Sequence, residues 1–187
     1  MSCIYLDYQA TTPLAPEAAA AMRPWLETNF GNPHSPHRYG REAHAAIEVA
    51  RERIIEALHH PRGGKLYFTS GATEASNWAL KGAAARLPEG RRRIVTQATE
   101  HACVLDTVEW LAGQGFDVDI LPVRPDGRVD PGLVAQRIDE RTGLVAIMLV
   151  NNETGAIQPV AEVAALAHAA GALIFCAAVH GFGRVDL

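Results

Sequence analysis

The sequence predicts an α/β protein with a mostly parallel sheet that is covered by helices on both faces. Two patterns carry this prediction. From residue 65 onward, short β-rich runs alternate with segments of helical periodicity, which is typical of parallel sheets built from strand–helix–strand units. The later runs, residues 143–150 and 172–176, are apolar throughout. Continuous apolar runs of this length are expected for strands that are buried on both faces.

The first part of the chain is predicted to be extended and then helical. Residues 1–15 are expected to be extended, with turns at residues 11–13. A helix is predicted over residues 16–28, because a proline stands in its first turn. A second proline, Pro24, lies inside this segment, and we expect it to kink or interrupt the helix.

A loop rich in glycine, proline and histidine at residues 31–40 leads into a second amphipathic segment. Apolar residues at helical spacing predict a helix over residues 41–59.

The sheet region is expected to alternate strand and helix in a regular order. Strands are predicted at residues 65–69, 93–97, 117–123, 143–150 and 172–176. Helices are predicted at residues 101–115, 131–139 and 159–171, and a loop followed by a helix at residues 70–86.

Composition excludes several classes of function. The chain has 187 residues, of which 48% are hydrophobic and 20% charged, and this suits one sizeable core. A net charge of −4 gives no reason to expect a nucleic-acid partner. No apolar run reaches the roughly 20 residues of a membrane span, and the first residues do not resemble a signal peptide. We therefore expect a cytoplasmic protein with no membrane partner.

The cysteines and histidines do not predict a metal site. Cys3, Cys103 and Cys176 lack metal-type spacing, and we expect free thiols, with Cys103 and Cys176 buried. Three histidines lie near the proline-rich loop without a carboxylate at a suitable spacing; they are His34, His37 and His44.

Small and polar residues follow the predicted strands, where the ligands of parallel sheets bind. Ser70, Gly71, Ala72 and Thr73 follow the first strand and open a helix. A glycine beside a helix N-terminus suits a phosphate, and an ordinary helix N-cap explains the same residues equally well. Neither a dinucleotide fingerprint nor a P-loop is present.

Two further strand ends carry polar side chains. His101 follows the strand at residues 93–97, where it could stack on a planar ligand, act as a base, bind a metal or serve a structural role. Asn151 and Asn152 follow the strand at residues 143–150, where they could orient a ligand or simply form a turn. Together, these loops suit a planar, phosphorylated ligand.

Six motifs, in order along the whole chain, resemble the cysteine desulfurases of the NifS and IscS kind, within the class V aminotransferases that use pyridoxal phosphate (PLP). The motifs are YLDYQATTPLAP, FGNPHSPHRYGREA, FTSGATEASNWA, TQATEHACVLDT, VNNETGAIQPV and HGFGRVDL. The resemblance covers about the first half of a typical family member.

The resemblance implies a fold and a division into domains. The expected fold is the large domain of the aspartate aminotransferase-like PLP-dependent transferases, fold type I, in an incomplete form. Residues 1–15 would belong to the small domain, and residues 16–187 would form the N-terminal part of the PLP-binding large domain.

The resemblance also implies the roles of individual residues. Ala72 and Thr73 would hold the PLP phosphate. His101 would stack on the pyridine ring and assist proton transfer, which makes it the catalytic candidate. Asn152 would hydrogen-bond near the ring hydroxyl and help to hold the substrate carboxylate. The family's next two PLP contacts, an aspartate and a glutamine, fall at Ala177 and His180.

The chain departs from the family pattern in ways that bear on activity. Ala177 cannot keep the ring nitrogen protonated as an aspartate would. The family's Schiff-base lysine and persulfide-forming cysteine lie beyond the matching residues, and Lys65, Lys81 and the three cysteines do not match them. We therefore expect the chain alone to be inactive and not to hold PLP productively.

Two hypotheses follow for the function. The first is a cysteine desulfurase-type enzyme that converts L-cysteine to L-alanine and supplies sulfur, as a persulfide, for iron–sulfur clusters or thiolation. A dimer or a second chain would then complete it, and sulfur-acceptor proteins would be partners. The second hypothesis is a non-catalytic scaffold subunit that pairs with an intact desulfurase or a sulfur-relay protein.

Overall fold

The computed structural model describes residues 3–58 and 64–185. The chain divides into two compact units, one up to Phe68 and one from Thr69 onward. Within the described ranges, no helix combines the length and apolar character that a membrane span requires. This division does not test the prediction that residues 1–15 belong to a small domain, which stays a prediction.

The first unit contains two helices, α1 (Pro16–Glu27) and α2 (Arg38–Ala57). The predicted interruption at Pro24 is wrong, because α1 runs through this residue to Glu27. Pro24 leaves one carbonyl of the preceding turn without its helical donor. No residue of α1 is buried, so water can satisfy that carbonyl and the helix continues.

The second helix begins three residues before its predicted start. Its N-cap is His37, whose Nδ1 accepts a hydrogen bond from the backbone of Gly40 at 3.4 Å. A Cβ atom at Gly40 would lie 2.1 Å from the carbonyl oxygen of Ser35, so only glycine fits here. The last predicted residue of this helix, 59, lies outside the described residues.

The N-terminal turn lies earlier than predicted. Residues 8–10 form the turn, and residues 11–13 carry no regular structure. The backbone N–H of Ala10 donates both to the carbonyl of Asp7, at 3.2 Å, and to its side chain, at 3.4 Å. An aspartate that bonds the backbone ahead of it is a common turn former, and this was the missed signal.

The predicted strand at residues 65–69 is also wrong, since these residues form no strand. The contacts of this segment are with the side chain of Arg51 and not with a neighbouring strand. Arg51 donates from Nη1 to the carbonyl of Leu66, and its guanidinium lies 5.0 Å from the ring centroid of Phe68. A β-rich run becomes a strand only where a neighbouring strand pairs with its backbone.

The second unit is a four-stranded parallel sheet with the strand order β2-β1-β3-β4. The strands are β1 (Arg93–Gln97), β2 (Asp117–Leu121), β3 (Thr142–Ala146) and β4 (Leu173–Phe175). The helices are α3 (Ala72–Ala84), α4 (Ala102–Gly113), α5 (Pro131–Arg137) and α6 (Val160–Ala169).

Two separate apolar clusters show that helices cover both faces of the sheet, as predicted. Ile94 of β1 packs with α3 and α4 on one face, and its neighbour Val95 packs with α5 and α6 on the other. Leu144 and Val145 of β3 divide in the same way. Successive strand residues point to opposite faces, so every apolar position of β1 and β3 has a helix to pack against.

The third strand is shorter than predicted because its two neighbours part from it at different points. On the β4 side, pairing continues, and Leu149 N–H donates to the carbonyl of Ala177 at 3.0 Å. On the β1 side, the N–H of Met148 donates instead to the side chain of Glu100. At the carboxyl end of β3, the Glu100 side chain therefore takes the hydrogen bond that a backbone carbonyl of a neighbouring strand would otherwise accept.

Candidate functional site

The loops that follow the parallel strands enclose a pocket within the second unit. Its lining residues are Ala72, Thr73, Ser76, His101, Cys103, Met148, Ala177, Val179 and His180. Five of the six residues singled out from the sequence are among them. The sheet brings these residues together because the carboxyl ends of parallel strands share one edge.

The start of α3 forms one wall of the pocket. Its N-cap residue is Gly71, which makes no side-chain cap. Ser70 is engaged by Glu74, whose Oε2 accepts from the Ser70 N–H at 2.7 Å and from its hydroxyl at 2.5 Å. These two hydrogen bonds lower the pKa of Glu74.

This arrangement favours the phosphate cradle over the ordinary N-cap. The first N–H groups of a helix have no partner within the helix, and no side chain of Gly71 can cap them. A Cβ atom built on Gly71 would meet nothing within 4 Å, so space is open at this helix end. The positive end of the helix dipole and the N–H groups at Ala72 and Thr73 therefore suit an anion.

His101 also lines the pocket and lies immediately before α4. It is the N-cap of that helix, and its Nδ1 accepts a hydrogen bond from the Cys103 N–H at 3.1 Å. The neutral imidazole therefore carries its proton on Nε2, because the lone pair of Nδ1 is occupied. His101 is exposed, so the ring is accessible to a ligand.

Ala177 and His180 come from the loop after β4, and both are half-buried. The carbonyl of Ala177 accepts the hydrogen bond from Leu149, which ties this loop to the end of β3. The alanine side chain offers neither a charge nor an acceptor. His180 brings a ring that can donate or accept a hydrogen bond.

Asn152 is the one predicted residue that does not line the pocket. Its Nδ2 donates to the Glu153 side chain at 2.7 Å. Its neighbour Asn151 is buried and acts structurally, with Oδ1 accepting from the N–H of Thr154 at 2.8 Å and Nδ2 donating to the carbonyl of Thr99 at 2.8 Å. The two amides thus have different roles, which their adjacency in sequence did not reveal.

Four pocket residues were missed by the sequence reasoning: Ser76, Cys103, Met148 and Val179. Ser76 is one helical turn beyond Ala72 and Thr73, and this spacing was an available signal. The expectation that Cys103 and Cys176 are buried is wrong, since Cys103 is half-buried and Cys176 is exposed. Cys176 comes directly after β4, where the chain leaves the sheet, so an apolar sequence neighbourhood does not guarantee its burial.

Glu100 is the residue before His101 in the same loop, and it was also missed. The residue is only 5% exposed. Its Oε1 accepts from Gln97 Nε2 at 3.0 Å and from the Met148 N–H. Burial raises the pKa of Glu100 to about 7, against the opposing effect of these two hydrogen bonds.

Neither lysine lines the pocket. Lys81 points its Nζ over the ring of Trp110, 4.6 Å from the centroid, and Lys65 is exposed. Among the described residues there is also no group of three or more metal-ligating side chains.

The pocket fits part of PLP and not all of it. The α3 N-terminus suits the phosphate, the exposed His101 ring offers a stacking surface, and His180 offers a hydrogen bond for the ring hydroxyl. At Ala177, the position that would face the ring nitrogen by resemblance, the chain provides no polar side-chain atom. By the resemblance, these groups would serve the phosphate, the ring face and the hydroxyl, and Ala177 would leave the ring nitrogen without an acidic partner.

Known proteins agree with this architecture. The cysteine desulfurase IscS of Rickettsia akari (strain Hartford) is 40% identical over 185 residues, which are 98% of this chain and 45% of the relative. A solved NifS-like protein superposes with a TM-score of 0.93 at 35% identity, over 98% of this chain and 51% of the other. SspA, solved in complex with cysteine, gives a TM-score of 0.83 at 36% identity, over 92% of this chain and 49% of the other.

These matches confirm the predicted fold, the α/β large domain of the PLP-dependent transferases. The chain spans about half the length of the curated relatives that it matches. The sequence model of the class V aminotransferases matches residues 4–187. The chain therefore belongs to the class V aminotransferase family.

Proposed function

We propose that the chain is a cysteine desulfurase-type protein, whose complete reaction removes sulfur from L-cysteine with PLP and yields L-alanine and a persulfide. The observation that carries this proposal is the pocket, where an anion cradle, an accessible imidazole and the β4 loop converge. The cysteine desulfurase relatives and the SspA structure with cysteine support the substrate.

Each wall of the pocket has a separate binding task. Ala72 and Thr73 receive the phosphate, with the N–H groups of the first turn of α3 as donors. His101 lies against the ring face, and His180 donates toward the ring hydroxyl. When bound, PLP would supply an electron sink for the reaction. Asn152 is proposed to orient the substrate carboxylate, for which its amide must leave Glu153.

His101 is the proposed proton-transfer residue. Its Nδ1 accepts from the Cys103 N–H, so Nε2 is the atom left to hold or release a proton at the ligand. This division of the two nitrogens fixes the ring plane while one nitrogen stays free to act.

We propose that this chain alone does not complete the reaction. Ala177 gives the ring nitrogen no acidic partner, so the electron sink is weakened. Lys81 is held at Trp110, and neither lysine lines the pocket. Binding of PLP is therefore expected to be non-covalent, and turnover would require groups from a second polypeptide or a second copy.

A direct test combines binding and turnover. The purified chain is titrated with PLP by tryptophan fluorescence, treated with borohydride and assayed with L-cysteine for alanine and sulfide. We expect saturable binding that inorganic phosphate weakens, no borohydride-fixed adduct and no alanine. Alanine formation at a family-like rate would refute the proposed inactivity, and absence of any PLP binding would refute the proposed site.

A second candidate function, a non-catalytic scaffold subunit, is favoured by one specific observation. Large apolar side chains of the first unit are exposed, among them Trp25 at 41% and Phe30 at 82%. Trp25, Phe30, Ile47 and Phe68 line a single groove in this unit. Apolar surface of this kind favours association.

The scaffold hypothesis predicts pairing with an intact desulfurase or a sulfur-relay protein. A pull-down with purified full-length IscS-type desulfurase tests it, with the variant Phe30→Glu as the matched control. Retention of desulfurase by the wild-type chain, and not by the variant, would support the scaffold role. Equal retention by both, or by neither, would reject it.

Sulfur delivery to iron–sulfur clusters or to thiolation pathways, in the cytoplasm, completes the proposal. The support is the IscS name of the relatives. The proposed partners are L-cysteine, a sulfur-acceptor protein and a second chain in a dimer.

A further inference from the structure

We propose that Glu100 is a positioning residue, whose neutral carboxyl group fixes the loop that carries His101 and whose ionisation loosens it. Its relevance to PLP rests on the proposed function above. The positioning itself is a property of the polypeptide and can be measured without PLP.

The geometry places Glu100 where two walls of the pocket meet. Oε1 accepts from the side chain of Gln97, at the end of β1, and from the N–H of Met148, beyond the end of β3. Met148 lines the pocket, and so does His101, which follows Glu100 in the chain. One buried oxygen therefore joins the backbone under His101 to the backbone of a second pocket wall.

The other oxygen has no such support. Oε2 of Glu100 is buried and has no hydrogen-bond partner among the described residues, and the same holds for Gln97 Oε1 and Thr99 Oγ1. All three atoms lie within four consecutive residues, at a turn closed by the Glu100 N–H donating to the Gln97 carbonyl at 3.3 Å. An ionised carboxylate at this place would bury a charge without a donor for Oε2.

A proton on Oε2 removes this buried charge. The neutral acid carries an O–H donor, and Gln97 Oε1 and Thr99 Oγ1 are buried oxygens without partners in the same turn. Oε1 keeps both of its hydrogen bonds in either form. The neutral state therefore avoids burying a charge at an oxygen that has no hydrogen-bond partner among the described residues.

Two titratable groups lie near Glu100, Cys176 after β4 and His101 on the same loop. Cys176, after β4, has its pKa raised to about 11, first by loss of hydration of the thiol and then by the charge of Glu100. Although part of the Cys176 residue is exposed, its thiol is thus neutral near pH 7. His101 is the adjacent titratable group on the same loop, and its Nδ1 is occupied by Cys103.

The raised pKa of Glu100 agrees with this geometry. The pKa of Glu100 is raised from 4.5 to about 7, with burial as the largest cause. Glu100 thus changes charge close to neutral pH, and the loop under His101 is expected to change with it.

The test is a pH titration of backbone amides by two-dimensional NMR, between pH 5 and pH 9, on the chain without PLP. In the wild type, the Met148 amide is expected to move with a midpoint near 7, and the Cys103 amide to show the same step besides that of His101. Glu100→Gln keeps a neutral acceptor at Oε1, so the step is expected to vanish while the Met148 amide stays protected from exchange.

Two controls separate positioning from charge and from general stability. Glu109→Gln removes one exposed charge from α4 and should leave the titration unchanged. Glu100→Asp keeps the charge but shortens the side chain, so the Met148 amide should lose protection. A wild-type Met148 amide without a step near pH 7 would overturn the proposal, as would a step that persists in Glu100→Gln.

Measuring PLP affinity across the same pH range then distinguishes the two proposals. An intact amide step together with no PLP binding would reject the proposed function and leave the role of Glu100 standing. PLP binding without the amide step would reject the role of Glu100 alone. The wild-type titration is decisive even if a variant fails to fold.

Discussion

The Nδ1 atom of His101 and the backbone N–H of Cys103 are joined by a 3.1 Å hydrogen bond. The residue proposed to lie against the cofactor ring is therefore also the N-cap of α4. One side chain serves both the helix and the pocket, and substitutions can separate the two roles.

Replacing His101 by alanine is expected to destabilise the second unit and to weaken ligand binding together. Loss of an N-cap side chain costs about 1 kcal/mol, which urea unfolding followed by circular dichroism can measure. His101→Asn restores a capping oxygen without an imidazole, so stability should recover while PLP affinity stays low. Recovery of affinity in His101→Asn would contradict the stacking role.

The buried Glu100 predicts a pH dependence of stability opposite to that of an ordinary ion-paired acid. Its pKa is raised in the folded state, from 4.5 to about 7, so the folded state binds the proton more tightly than the unfolded state. Its contribution is fully present below pH 4.5 and is lost as the pH rises to about 7. At about 1.4 kcal/mol for each pKa unit, the loss is roughly 3 kcal/mol.

The measurement is the difference in unfolding free energy between the wild type and Glu100→Gln, from pH 4 to pH 8. The exposed acids with lowered pKa values, such as Asp126 and Asp130, act on both proteins and cancel. We expect the variant to gain on the wild type as the pH rises from 4.5 to 7. A difference that does not vary with pH would show that Glu100 is not the titrating group.

Much of the sheet could be predicted from the sequence, because its signals are local and the helices that cover it lie in the same unit. Leu144 and Val145 of β3 pack on opposite faces, as a continuous apolar run requires. The strand predicted at residues 65–69 is absent, because a strand needs a neighbouring strand to pair with its backbone. Its β-rich composition was correct, but Arg51 and not a strand satisfies the carbonyl of Leu66.

The site divides in the same way between local and long-range information. The resemblance singled out Ala72, Thr73, His101, Ala177 and His180, and the loops of the parallel sheet bring them to one pocket. The role of Glu100 depends on Met148, 48 residues away in sequence. A carboxylate beside a histidine in sequence gives no sign that it is buried.

The exposed apolar groove of the first unit predicts self-association. Phe30 is 82% exposed and stacks on Tyr39, with ring centroids 6.0 Å apart. Phe30→Glu places a charge in the groove and is expected to shift the protein toward monomer in light scattering. Leu6→Glu is the matched control, since Leu6 is 84% exposed and does not line the groove. A wild-type chain that is monomeric at high concentration would contradict the prediction.

Ala177 predicts a gain of function in ligand binding. Ala177→Asp would place a carboxylate where the bound pyridine nitrogen is expected, and a charge-assisted hydrogen bond is worth roughly 1.5–3 kcal/mol. PLP affinity should therefore rise about tenfold or more, with a red shift of the PLP absorption as its ring nitrogen gains a proton.

Ala178→Asp adds the same charge one residue away, outside the pocket lining, and should do neither. Equal effects of the two substitutions would mean that the added negative charge alone is responsible, and the assignment of Ala177 to the ring nitrogen would be wrong. Tighter binding in Ala177→Asp alone would show that the pocket holds the ring in the orientation that His101 and the α3 N-terminus imply.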